Sequence, residues 1–301
     1  MLSISLKQYS YLVGAADRGN LTAAAAALHI SQPAISVAIA AMEAHFGQAI
    51  LLRRQGQGVS LTPFGRDVVQ QARQVLNQAA QAERLRADSG PLTGQVIFGS
   101  YLDLAAYHVP GLLRGFARKH AGIAITLRTV DFETVSPQLE SGAIDLALSF
   151  GLGLGPAIER IVLAQQRPHA IVAADHPLAR RRSVSLRELA RHPLVLADQA
   201  LSREHILALF STAGIEVGAT VRAGTFEFLR GLVANGLGVA VVYSRPRGDR
   251  SYDGKKIVEL AIADNVPPHP ILLARLKNAS LNRAAQAFSE YVVASFRSRR
   301  D

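Results

Sequence analysis

Gly19-Asn20-Leu21-Thr22-Ala23-Ala24-Ala25-Ala26-Ala27-Leu28-His29-Ile30-Ser31-Gln32-Pro33-Ala34-Ile35-Ser36-Val37-Ala38-Ile39-Ala40-Ala41-Met42-Glu43-Ala44-His45-Phe46-Gly47 is the stretch that decides the fold. Gly19 stops one helix. Thr22 is expected to cap an alanine-rich helix ending at Leu28, and Ser31 to cap a second helix with Pro33 in its first turn. Two short helices joined across His29, Ile30 and Ser31 make a helix-turn-helix. In the second helix Ile35, Ile39, Met42 and Phe46 form an inward stripe, and Gln32, Ser36, Val37, Ala40 and Glu43 form the opposite one. In a major groove, Gln32 and Ser36 can bond base edges while Val37 and Ala40 touch thymine methyls. The same spacing also fits a tight turn with a small polar face in an ordinary helical domain.

Working outward, residues 6–17 read as a first helix with Leu6, Tyr9, Val13 and Ala16 inward. Downstream, residues 51–54 and 59–61 form two short strands around Gln55-Gly56-Gln57-Gly58, whose glycines permit a tight loop. As a wing, this hairpin would present Arg53, Arg54, Gln55 and Gln57 to phosphates or the minor groove; otherwise it is a solvated basic hairpin. Thr62-Pro63 opens a long helix over 64–86 in which Val68, Ala72, Val75, Ala79 and Ala82 recur as a coiled-coil seam. That seam reads as a dimerisation surface, or as one helix packed on its own domain. Residues 89–94, Ser-Gly-Pro-Leu-Thr-Gly, break the helix as a hinge.

The chain has 301 residues with 49% hydrophobic content, enough for two or three domains and a sizeable core. No apolar run approaches the roughly 20 residues that span a bilayer, and the first residues do not read as a secretion signal. The expected location is therefore cytoplasmic. The absence of cysteine excludes disulfides, thiolate metal sites and thiol redox sensing. A net charge of +10 suits a polyanionic partner, yet residues 1–90 hold only 8 Lys/Arg against 5 Asp/Glu. Within them Arg53, Arg54, Arg66, Arg73, Arg84 and Arg86 cluster against Asp67 and Glu83.

Beyond the hinge, strand candidates at 95–98, 125–129 and 146–149 are separated by helices at 110–120 and 135–141, which argues parallel α/β units. A second set has strands at 170–174, 194–197, 220–223 and 239–243 and helices at 202–213 and 226–235, before a strand at 271–276 and a helix at 282–296. Ligands of such sheets sit beyond strand carboxyl ends, near helix N-termini. The residues expected there are Ser100, Tyr101, Thr129, Asp131, Phe132, Ser149 and Phe150, with Asp198, Ser202, Arg203, Thr225 and Phe226 from the second set. Hydroxyls and amides at helix starts suit a small carboxylate, and Arg203 can pair with one. Ser202 also reads as a helix cap, and Phe132 and Phe150 as core.

Other chemistries fail. Gly151-Leu152-Gly153-Leu154-Gly155 lacks dinucleotide-fingerprint spacing and reads as a crossover between lobes. Gly236-Leu237-Gly238 is a helix stop. Ser100 lacks the flanking glycines of a nucleophile elbow, and the histidines show no paired-ligand spacing. No catalytic residue, metal site or cofactor is expected.

The order Leu-Thr-Ala₅-Leu-His-Ile-Ser-Gln-Pro-Ala-Ile-Ser, then Met42-Glu43, Phe46-Gly47 and Leu61-Thr62-Pro63-Phe64-Gly65, resembles the N-terminal domain of LysR-type transcriptional regulators. At Val37, Ala38, Ala40 and Ala41 that family commonly places arginine, glutamine or lysine. The resemblance implies an α/β protein: a winged helix-turn-helix (1–63), a linker helix (64–88), a hinge (89–94) and a two-lobed, periplasmic-binding-protein-like effector domain (95–301). Lobe 1 would take 95–163 and 268–301, and lobe 2 164–267. It further implies double-stranded promoter DNA and a small-molecule effector as partners, and a homodimer through the linker helix that pairs into a homotetramer. A binding protein without DNA function would leave the first 65 residues unexplained, and an enzyme on a similar two-lobed fold would need paired carboxylates, a triad or a metal constellation that the sequence does not offer.

Overall fold

A computed structural model describes residues 3–54, 58–84 and 92–298. The chain forms two compact units, an N-terminal one that also takes residues 138–144 and a C-terminal one.

The N-terminal unit opens with α1 (Leu6–Arg18), α2 (Leu21–Ala27) and α3 (Gln32–Phe46). Ser5 and Gln8 form a capping box ahead of α1, and Gly19 ends it in the left-handed region at φ 60°. The cap of α2 is Asn20, not Thr22. Its Oδ1 accepts from the amides of Thr22 at 2.8 Å and Ala23 at 3.0 Å. The chain leaves Gly19 so abruptly that Asn20 is already the last extended residue, which places Thr22 inside the first turn. Ser31 does occupy the N-cap position of α3, but its hydroxyl makes no capping bond. Pro33 has no N–H, and the Ala34 amide reaches the Ser31 carbonyl at 3.1 Å, so little is left to cap.

The inward stripe of α3 is buried at Ile35, Ile39 and Met42, and Phe46 meets Phe64 edge-on at 5.6 Å. In α1 the buried positions are Leu12, Gly14 and Ala15, whereas Leu6 is 48% exposed. Gly14 shifts the contact face: a Cβ there would lie 2.9 Å from Leu28 Cδ1, so α2 packs directly on the backbone of α1. Glu43 is not on the outer face. Its Oε1 accepts from the amides of Ile50 at 2.8 Å and Leu51 at 3.0 Å, anchoring the first strand to α3.

That strand, β1 (Leu51–Arg54), pairs antiparallel with β2 (Gly58–Leu61), from Leu51 opposite Leu61 to Arg54 opposite Gly58. The Val59 amide donates to the Gly19 carbonyl at 2.8 Å. Gly58, at φ +81°, could carry no Cβ, which would stand 2.3 Å from that carbonyl oxygen. Next comes α4 (Pro63–Arg84). Thr62 donates to the Ala49 carbonyl at 2.8 Å and accepts from the Gly65 amide at 2.8 Å. The seam on α4 divides. Val68 and Ala72 are buried in this unit's own core, with Arg73 paired to Asp17 of α1, while Val75 is 38% exposed. Early in α4, α1 supplies the partner face that the periodicity alone assigned to a second chain.

The C-terminal unit starts with β3 (Gly94–Tyr101), α5 (Leu102–Lys119), β4 (Ile123–Val130), α6 (Val135–Glu140), β5 (Leu146–Phe150) and β6 (Ile158–Gln166). A second lobe follows with β7 (His169–Ala173), β8 (Ser183–Val184), α7 (Leu186–Leu189), β9 (Leu194–Ala197), α8 (Ala200–Thr212), β10 (Thr220–Ala223), α9 (Phe226–Ala234), β11 (Ala240–Val242) and β12 (Ile257–Ile262). The chain then returns through β13 (His269–Leu276) and α10 (Arg283–Arg297). Lobe 1 is a sheet ordered β4-β3-β5-β13-β6, and lobe 2 combines β11-β7-β12-β8 with the pair β10-β9.

β3, β4 and β5 form one expected parallel set and β9 with β10 another, but β13 runs antiparallel to β5 and β6, as β7 does to β11 and β12. A return strand reverses direction, and hydrophobic pattern carries no sign of direction. β6 continues to Gln166, so the crossover lies at 167–168 rather than at 163. Nor does Gly151–Gly155 cross between lobes. It is a loop of lobe 1, pinned where Ser136 Oγ donates to the Gly153 carbonyl at 3.0 Å and accepts from the Gly155 amide at 2.9 Å. α5 begins at Leu102, and Pro110 lies within it rather than at its start. The core of lobe 1 is a run of edge-on rings, with Phe98 and Phe116 each 4.9 Å from Phe288.

Gly65 supports a prediction. A Cβ there would stand 2.1 Å from the Ile50 carbonyl oxygen. Gly65→Ala should destabilise the N-terminal unit by about 1–3 kcal/mol, the usual cost of forcing an extra carbon into a packed interior. Hydrogen exchange would register it as weaker protection along β2 and the start of α4; unchanged protection would refute it.

Candidate functional site

Two surfaces carry the residues singled out from the sequence. On α3, Thr22 of the preceding helix, Ser31, Pro33, Val37 and Ala40 are exposed, with Val37 at 70%. Gln32 and Ser36 are half-buried and bonded to each other, Gln32 Nε2 donating to Ser36 Oγ at 2.9 Å. Of the four apolar departures, Ala38 faces the core at 9% exposure, so only Val37, Ala40 and Ala41 lie on the outer side. Arg53 and Arg54 are at the end of β1 leading to the hairpin tip. Gln55 and Gln57 fall outside the described residues.

In the C-terminal unit a cavity lies between the two lobes, at the carboxyl ends of the lobe 1 strands. Tyr101, Phe132 and Phe150 wall it from lobe 1, and Ser202, Thr225 and Phe226 from lobe 2. Tyr101 stacks on Phe132 at 4.3 Å, and its hydroxyl donates across the cleft to Gln199 Oε1 at 3.0 Å. Thr225 caps α9, accepting from the Phe228 amide at 3.2 Å. The other expected residues are elsewhere. Ser100 and Ser149 are buried in the sheet, and Thr129 is exposed. Asp131 Oδ1 accepts from the Thr134 amide at 2.7 Å, closing a turn before α6. Asp198 faces Arg222 at 3.6 Å. Arg203 turns back to the Asp198 carbonyl at 2.6 Å and does not line the cavity.

Sequence reasoning missed Asp103, Gln199, His205, Tyr243 and His269, all of which line the cavity. The sequence reads a helix only from 110, whereas α5 begins at Leu102 and so carries Asp103 in its first turn. His205 lies within α8 and His269 opens β13, and nothing local in the sequence marks either as facing the cleft. His205 Nε2 is 3.2 Å from the Tyr243 hydroxyl, the His205 and His269 rings are 4.5 Å apart, and His269 Nε2 is buried with no hydrogen-bond partner.

The cavity's charge is one-sided. Among the described residues, Asp103 is the only Asp, Glu, Lys or Arg lining it. Burial, and then the neighbouring Glu227, push its carboxyl up to about 7, although the Tyr101 hydroxyl beside it opposes this. Burial and the charge of His205 hold His269 down to about 4, and burial lowers His205. Burial also raises the Tyr243 phenol to about 12. Glu227 is itself engaged. Its Oε1 accepts from the Tyr107 hydroxyl at 2.9 Å, and Arg230 pairs with both oxygens at 2.9 and 3.1 Å while also donating to the carbonyls of Gly248 and Arg250.

Two fields therefore compete in the cleft. Helix N-termini favour an anion by about 0.3–1 kcal/mol each. A second anion some 4 Å from an ionised Asp103 would cost about 4 kcal/mol at an effective dielectric of 20. Above about pH 7, where Asp103 is ionised, the carboxylate dominates.

The chain matches two family descriptions: "Bacterial regulatory helix-turn-helix protein, lysR family" over residues 6–66 and "LysR substrate binding domain" over 89–297. It is 33% identical over 246 residues to the HTH-type transcriptional regulator TfdS of Cupriavidus pinatubonensis, covering 79% of this chain and 82% of that one. It is also similar to the solved structure of HinK, a LysR family transcriptional regulator from Pseudomonas aeruginosa, with 31% identity, a TM-score of 0.65 and coverage of 98% and 99%. The fold is shared with full-length CbnR complexed with its target DNA, at 24% identity, a TM-score of 0.66 and coverage of 97% and 100%. With a winged helix-turn-helix joined to a two-lobed α/β domain, the chain is a DNA-binding transcriptional regulator. It belongs to the LysR family.

Asp103 makes stability depend on pH. An acid raised from its ordinary 3.8 to about 7 stabilises the fold when protonated, and that contribution is lost as pH rises from about 4 to about 7. His269, lowered to about 4, works oppositely: its contribution is present above about 6.5 and lost as pH falls towards 4. Asp103→Asn should therefore flatten the loss between pH 5 and 7 while keeping the loss on the acid side, as followed by thermal melts across pH. A variant with the parent's slope near neutrality would show that Asp103 is not held neutral.

Proposed function

We propose that this regulator reads promoter DNA with α3 and the hairpin, and that a small molecule seated between the lobes of its C-terminal unit modulates the binding. The observation that carries the reading is the cavity itself, whose aromatic and hydroxyl walls come from both lobes, so one ligand touches both at once. Binding that favours one lobe arrangement shifts the population of that arrangement, and through it the spacing of the DNA-reading units. The working form is a cytoplasmic homodimer through the later part of α4, paired into a homotetramer. Val75 lies on the exposed remainder of the seam and supports this assignment.

On DNA, Gln32 and Ser36 meet base edges as one bonded pair, Val37 and Ala40 meet thymine methyls, and Arg53 and Arg54 meet phosphates. Thr22, Ser31 and Pro33 border the same face. A gel-shift titration against the DNA flanking its own gene, with competitor DNA and several salt concentrations, tests this. A discrete complex that weakens steeply with salt is expected. Gln32→Ala or Ser36→Ala should each cost about 1–3 kcal/mol of discrimination, and the double variant less than their sum, because either change already breaks the shared bond. Full additivity would mean that the two side chains act separately on DNA. Loss of discrimination only in Arg53 and Arg54 variants would move the reading to the hairpin.

The dimer assignment has its own measurement. Val75→Glu should shift the sedimentation profile towards smaller species without unfolding the chain, since Val75 is 38% exposed. An unaltered profile would place the dimer contact elsewhere.

A further inference from the structure

Resting on the reading of the inter-lobe cavity as the effector site, we infer that its ligand is a small organic ammonium ion with an apolar or aromatic body, and not a carboxylate. The residue that would have received a carboxylate, Arg203, is turned to the Asp198 carbonyl at 2.6 Å. The nearest buried guanidinium, Arg230 at 6% exposure, is fully engaged by Glu227 and two backbone carbonyls. No Lys or Arg among the described residues lines the cavity, whereas the Asp103 carboxylate does.

The walls complete the complement to a cation. Tyr101 stacked on Phe132, together with Phe150 and Phe226, offers ring faces, which attract an ammonium ion through their quadrupoles. Gln199 Oε1, Ser202, the Tyr243 hydroxyl and the unpartnered His269 Nε2 can accept hydrogen bonds, and an ammonium group donates up to three. Helix dipoles do not reverse the balance. An acid already sits in the first turn of α5, as Asp103, and of α9, as Glu227, so these ends carry their own counter-charge. What the cavity lacks is a positive group beside Asp103, and a ligand ammonium supplies it as a charge-assisted hydrogen bond.

Three probes of one shape and different charge test this on the full chain: benzylamine, benzyl alcohol and benzoate, each titrated by calorimetry and scored by thermal shift. Benzylamine should bind on the order of tenfold more tightly than benzyl alcohol, and benzoate weakest of the three. Benzylamine stays protonated from about pH 6 to about pH 8, so its affinity should rise across that interval as Asp103 ionises. Asp103 is faced there by Tyr101, Tyr107, Glu227 and Arg230, with His205 and His269 across the cleft. Asp103→Asn preserves shape, and it should remove both the preference for the amine and the pH dependence.

Gly224 lines the cavity and a Cβ there would meet nothing within 4 Å, so Gly224→Leu adds apolar bulk at the cavity wall, and its melting temperature should match the parent's. It should abolish binding of all three probes. Benzoate outcompeting benzylamine, with both blocked by Gly224→Leu, would overturn the ammonium assignment and leave the effector site standing. Amine binding that survives Gly224→Leu would overturn both. If none of the probes binds at millimolar concentration, the ammonium assignment fails, and the effector reading rests on whether a lobe-bridging ligand changes DNA binding.

Discussion

The C-terminal unit turns on the hydroxyl of Tyr101, which donates across the cleft to Gln199 at 3.0 Å. Tyr101 ends β3 and is the N-cap residue of α5, so no loop intervenes between strand and helix. The strand below it is held in the sheet by buried Phe98 and Ser100, which fixes where the ring emerges. Stacked on Phe132, the ring is a wall of the cavity, while its hydroxyl reaches the other lobe. Rigid placement of one aromatic therefore couples the sheet, a helix start and both lobes, as a site responsive to lobe arrangement requires.

That junction also puts Asp103 one helical step inside the cleft. A carboxylate buried without a cation is unfavourable, and nearby histidines held neutral do not relieve it. The pattern suits a binding site more than a structural one, since a core optimised for stability would pair or remove such a charge. Arg230 illustrates the contrast: it is buried, but the donors named above are satisfied by Glu227 or a carbonyl.

The N-terminal unit follows a different economy, built on close backbone approach. Gly14 against Leu28, Gly58 against the Gly19 carbonyl and Gly65 against the Ile50 carbonyl let helices and hairpin pack with no intervening side chain. Small residues keep α3 presented rather than submerged. The outer face that results is short of cations, with Val37 exposed and Gln32 bonded to Ser36.

The sequence by itself determined the helix-turn-helix, the inward stripe of Ile35, Ile39 and Met42, the hairpin, the long helix and the alternation of strands and helices beyond it. These are local matters: helical period, glycine at helix ends and the fixed spacing of short motifs are readable one segment at a time. It also placed Tyr101, Phe132, Phe150, Ser202, Thr225 and Phe226 at the cavity, because strand ends and helix starts are where such sheets hold ligands. Only the tertiary structure decided that Asn20 rather than Thr22 caps α2, that α1 covers Val68 and Ala72, and that Arg203 turns away while Asp103 turns in. Strand direction, the true start of α5 and the meeting of His205 with His269 depend on residues far apart in the chain. Pairing across such distances is set by packing geometry, which hydrophobic periodicity does not encode.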